Sequence, residues 1–71
     1  MLKGMPVYII NGERRSFTAP LTVGALVREL GKNPKALAVE VNREVVPRVE
    51  HDLRWLAEGD EIEIVTLVGG G

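Results

Sequence analysis

One segment of the chain has helical periodicity, and it lies between two strand-turn-strand patterns, which leaves few ways to arrange the whole. Val23, Leu26, Val27 and Leu30 fall at i, i+3, i+4 and i+7, the spacing of a single apolar helix face. Thr22 stands where an N-cap is expected and Gly31 where such a helix ends. Before the helix, the β-prone run Val7–Ile10 is followed by Asn11 and Gly12, two residues that adopt the positive φ of a tight hairpin. Residues 13–18 should return antiparallel, and Pro20 then interrupts the chain. After the helix come Asn33 and Pro34, and Leu37, Val39 and Val41 then alternate with Ala38 and Glu40 as a strand does. Asn42 and Arg43 turn the chain into a short strand at Val45 and Val46, which Pro47 confines to an edge or a strand end.

Leu53, Trp55 and Leu56 are expected in a short connecting helical turn, plugging the core. Glu58, Gly59 and Asp60 form a polar turn into a last strand over residues 61–68. In that strand Ile62 and Ile64 supply the inward face, and opposite parity puts Val65 and Leu67 on the other side as a partner surface together with Val68. The same parity question applies to Val7 and Ile9. The order of elements predicts an α+β fold of β-grasp type, a mixed sheet with its first and last strands paired in the middle and one main helix packed across one face. Seventy-one residues suffice for one core. We therefore expect a domain over residues 1–67 and a flexible glycine tail over residues 68–71.

Several functions are set aside by residue type. There is no cysteine, which excludes a disulfide, a zinc-thiolate site or a thiol nucleophile in this chain. Nine Lys and Arg balance ten Asp and Glu without a long run of either sign, so no nucleic-acid partner is implied. One Phe, one Trp and one Tyr make no base-stacking platform. No apolar stretch has membrane-spanning length and no signal-peptide zones are present, so no membrane partner is expected and a cytoplasmic location is. His51 beside Asp52, with no Cys and no second His, reads as a surface residue rather than a general base or metal ligand. No catalytic side chain, metal site or cofactor is expected. Arg14, Arg15, Arg48 and Arg54 form either a docking patch for an acidic partner or ordinary solvated positions.

The chain ends Val68-Gly69-Gly70-Gly71. Three glycines offer backbone freedom and a terminal carboxylate and no other chemistry. Taken with the opening strand and Asn11-Gly12-Glu13, the helix around Leu26 and Leu30, Val41-Asn42-Arg43 followed by Val45-Val46-Pro47-Arg48, and Gly59-Asp60 before Ile62-Glu63-Ile64, this ending makes the sequence similar over nearly its whole length to the ThiS family, the ubiquitin-like sulfur carriers of thiamine biosynthesis.

The resemblance implies that the carboxylate of Gly71 is adenylated by an E1-like adenylyltransferase. Sulfur from a donor such as a cysteine desulfurase then converts it to a thiocarboxylate that supplies a thiazole synthase. Gly69 and Gly70 would form the slender tail that lets the carboxylate approach a nucleotide. The protein would be a cosubstrate and not an enzyme. Molybdopterin carriers, tRNA-thiolation carriers and ubiquitin-like modifiers share parts of the pattern, so supply of sulfur to those pathways, or attachment of Gly71 to target lysines, stays open at this point.

Overall fold

The structure, a computed structural model, describes residues 5–67. Its elements are β1 (Val7–Ile10), β2 (Glu13–Ser16), α1 (Val23–Glu29), β3 (Leu37–Val41), β4 (Glu44–Val46) and β5 (Glu61–Thr66), with single 3₁₀ turns at Pro34–Ala36 and Arg48–Glu50. The five strands form one mixed sheet in the order β2-β1-β5-β3-β4. β1 and β5 are parallel neighbours in its middle, while β1–β2, β3–β4 and β3–β5 are antiparallel. This is the β-grasp architecture expected from the order of the elements.

Both two-residue turns use positive φ throughout: Asn11 at 50° and Gly12 at 84°, Asn42 at 50° and Arg43 at 73°. Such turns match the right-handed twist of the strands they join. β2 stops at Ser16 rather than at residue 18, although Phe17 N–H still donates to the Pro6 carbonyl and its buried ring stacks on Tyr8 with centroids 5.5 Å apart. β5 runs to Thr66, and residue 68, the expected end of that strand, lies outside the described residues.

The helix begins as its sequence indicates. Thr22 Oγ1 accepts a hydrogen bond from the Ala25 N–H at 3.1 Å, an N-cap that satisfies one of the helix's unpaired donors. At the other end Gly31, at φ +71°, donates to Arg28 and Lys32 donates to Val27, the paired bonds of a left-handed glycine stop. The apolar face of α1, Val23, Leu26 and Val27, is buried against Tyr8, Ile10, Val39, Val41, Ile62 and Ile64 of the sheet.

The segment after β4 departs from expectation. Leu53 and Trp55 are exposed, at 75% and 64%, and only Leu56 enters the core. The cause is main-chain pairing. The expected helical turn is present, with Leu53 N–H and Arg54 N–H both donating to Glu50, but the main chain ties it to the start of α1. Val23 N–H donates to Arg54, Gly24 N–H to His51 and Leu56 N–H to Leu21, and Thr22 is bridged to Trp55, so Trp55 and Leu56 point to opposite sides. His51 takes the inner place instead. It is 5% exposed, and its Nε2–H donates to the Val46 carbonyl at 3.0 Å, which corrects its reading as a surface residue. Gly24 permits the close approach: a Cβ there would overlap the Asp52 carboxylate.

Burial separates two leucines that sequence alone treats alike. Leu26→Ala should cost about 2–5 kcal/mol in urea denaturation, whereas Leu53→Ala should stay within about 0.5 kcal/mol of the parent. Equal losses would show that the 51–56 segment packs as the core plug first expected of it.

Candidate functional site

The glycine ending expected to carry the chemistry follows the last strand in sequence, so the site is built from what holds β5. On one side β5 pairs with β3 from Ile62 against Val41 to Thr66 against Leu37. On the other it pairs with β1, but briefly: Ile9 N–H donates to Asp60 at 2.9 Å and Asn11 N–H to Ile62 at 2.8 Å. There β1 ends and turns away.

The Asn11 side chain takes over where the main chain leaves. Its Oδ1 accepts from the Ile64 N–H at 2.8 Å, and its Nδ2 donates to the Ile64 carbonyl at 3.3 Å. A carboxamide carries the same donor and acceptor as a peptide group, so it extends the β1 edge by one residue pair without extending β1. The asparagine of the other turn grips the start of the strand. Asn42 Oδ1 accepts from the Glu61 N–H and Nδ2 donates to Asp60 Oδ1, both at 3.0 Å. Asp60 Oδ2 in turn accepts from the Ala57 N–H at 2.8 Å. Sequence reasoning assigned these asparagines to turn geometry alone. The available signal was that both turns carry the carboxamide, although Asp or Gly suits such a turn as well.

The expected partner residues fall where parity puts them. Val65 and Leu67 are 51% and 52% exposed, on the sheet face opposite the helix, and Leu67 N–H donates to the Ala36 carbonyl at 2.8 Å. Val7 and Ile9 on the same face are half-buried. Val68, Gly69, Gly70 and Gly71 lie outside the described residues. The arginines are not gathered into one patch. Arg14 and Arg15 sit on β2 and Arg48 follows β4, at opposite edges of the sheet, and Arg15 lies 5.7 Å over the Phe17 ring.

No helix of the described residues is long and apolar enough to cross a membrane, and among them no cluster of three His, Cys, Asp or Glu side chains is placed to hold a metal ion. The N-terminus of α1 is no open anion site either, since Arg54, His51 and Thr22 already occupy its first N–H groups.

Comparison with known proteins gives a consistent picture. The sequence model of the ThiS family matches residues 8–71. The crystal structure of a thiamine biosynthesis protein (ThiS) from Geobacter metallireducens superimposes with a TM-score of 0.80 at 28% identity, over 92% of this chain and 99% of that one. A thiazole synthase of Paramagnetospirillum magneticum is 46% identical over 63 residues, 89% of this chain but 19% of that protein. The chain thus spans about a fifth of the length of that relative. An uncharacterized protein of Porphyra purpurea, ycf40, is 34% identical over 62 residues, 87% of each chain.

The asparagine clamp can be tested apart from the turn. Asn11→Gly keeps the positive φ and removes the carboxamide. It should speed hydrogen exchange of the Ile64 amide roughly tenfold and cost about 1 kcal/mol of stability. An unchanged Ile64 exchange rate would mean the side chain adds nothing to the strand.

Proposed function

The chain belongs to the ThiS family, the sulfur carriers of thiamine biosynthesis, and we propose that its own working group is the carboxylate of Gly71. In this reading residues 1–67 are the folded carrier and residues 68–71 the tail. An E1-like adenylyltransferase joins the carboxylate to AMP from ATP with release of pyrophosphate. A persulfide charged by a donor such as a cysteine desulfurase then displaces AMP, which keeps one carboxylate oxygen. A second thiol on the partner enzymes reduces the resulting acyl disulfide, forming a disulfide there and freeing the thiocarboxylate that supplies a thiazole synthase.

The observation that carries the proposal is that the family match runs through Gly71 and that the glycines follow the central strand of the sheet almost directly. A carboxylate resists substitution because oxide cannot leave, so activation is required. Glycine residues let the main chain approach a nucleotide without the bulk of a Cβ. With no cysteine in the chain, the activated acyl group has no thiol of its own to attack it. Two relatives named thiazole synthase, 46% and 40% identical to this chain over a fifth of their own length, favour delivery to a thiazole synthase over molybdopterin synthesis, tRNA thiolation or protein modification.

Given an E1-like adenylyltransferase, ATP and a sulfur source, the chain ending at Gly71 should gain the mass of one oxygen-to-sulfur exchange, and tail fragmentation should place it on Gly71. A variant with one alanine added after Gly71 should gain none. Sulfur found elsewhere, or none with an enzyme active on its own carrier, sinks the proposal. Val65, Leu67 and Val68 belong in it as partner contacts. Leu67→Glu should leave the fold intact, because half of the side chain already meets water. It should weaken binding to the adenylyltransferase or the thiazole synthase by about tenfold or more, read by calorimetry, through burial of a charge.

A further inference from the structure

β5 changes neighbours along its length. Its odd-numbered residues bond β3 and the residues flanking it: Glu61 accepts from Asn42 N–H, and Leu67 donates to Ala36. Its even-numbered residues face β1, where Ile62 is met by the Asn11 main chain and Ile64 by the Asn11 side chain. Thr66 is the next even residue. Its register opposite Leu37 is one that exchanges no ladder bonds with β3. Its N–H and C=O therefore point the same way as those of Ile64, past the end of Asn11, and have no hydrogen-bond partner among the described residues.

Val65 and Leu67 flank Thr66 on the open face of the sheet, half exposed. A partner that buries those two side chains and reaches past the end of Asn11 also covers the main chain between them. Desolvating the Thr66 N–H and C=O without partners costs more than their burial returns, so the covering surface has to present an acceptor and a donor in register. An extended strand does this and a helix face does not.

We infer that a thiazole synthase docks on this chain by laying one extended main-chain segment into the lane beside Thr66, accepting from its N–H, donating to its C=O and placing apolar side chains over Val65 and Leu67. The inference rests on the sulfur-carrier reading and names how one partner is held. Thiazole synthase is the occupant because two proteins of that name, each about five times as long as the stretch they share with this chain, carry such a domain within their own polypeptide, where the two surfaces must coexist. A second copy of the chain is a poor occupant. Its edge strands are β2, Glu13-Arg14-Arg15-Ser16, and the three-residue β4 followed by Pro47, which offer few apolar side chains to Val65 and Leu67, and two hydrogen bonds with little buried area do not hold a dimer.

The test uses the full chain with its cognate thiazole synthase. The Thr66 amide, exchanging freely in the free chain, should slow by about tenfold or more in the complex, followed by NMR. Thr66→Pro removes the N–H that faces the lane and leaves the β3 ladder untouched. It should remain folded by circular dichroism, accept sulfur on its tail as the parent does, and bind the thiazole synthase about tenfold more weakly or worse. Unchanged Thr66 exchange in the complex overturns the docking mode, as does a folded Thr66→Pro chain that binds like the parent. Protection of Thr66 in the chain alone, rising with concentration, overturns it in favour of a homodimer. If the proline variant does not fold, the exchange measurement on the parent decides. A parent chain that gains no sulfur with an active adenylyltransferase counts against the carrier reading, and that result is separate from where Thr66 is protected.

Discussion

The whole sheet depends on β5 being held from both sides, and side chains complete the hold that main chain begins. Asn42 fastens the strand at Glu61 and Asp60, and Asn11 fastens it at Ile64. Each asparagine also occupies a positive-φ position that closes its hairpin. One residue type thus meets two demands, since its carboxamide copies a peptide group and its backbone tolerates the left-handed region. The result is a central strand held on both sides up to Ile64 and, among the described residues, open on one side at Thr66.

That arrangement suits the role proposed above, in which the reactive group lies at a chain end. In that role a carboxylate presented to large partners needs a rigid base and a slender approach, and the base is a central strand paired on both sides. In the proposed role the helix supplies no reacting group. It closes the core on one face, its first N–H groups are occupied by Thr22, His51 and Arg54, and the opposite face is left to carry Val65 and Leu67.

The 51–56 segment explains why the helix start is so well seated. It runs beside the residues at that start, exchanges main-chain bonds with them, buries His51 and Leu56 and turns Leu53 and Trp55 outward. The exposed Arg28–Asp52 pair at 3.2 Å adds little to this. The close approach at Gly24 and the His51 bond to Val46 do the seating.

Much of the fold was legible in the sequence because its signals are local. Asn11-Gly12 specifies a hairpin, Thr22 through Gly31 a capped amphipathic helix, Leu37 to Val41 a half-buried strand, and these depend on nearest neighbours in the chain. The glycine ending, likewise, is a fact of sequence. What only tertiary structure decided were the matters of distant partners: that Asn11 reaches Ile64 and Asn42 reaches Asp60, that Trp55 and Leu53 face water while His51 does not, and that β1 turns away at Asn11, so that among the described residues Thr66 stands open. A residue's own type gives its donors, acceptors and apolar surface, but which of them are satisfied depends on chain segments that only folding brings beside it.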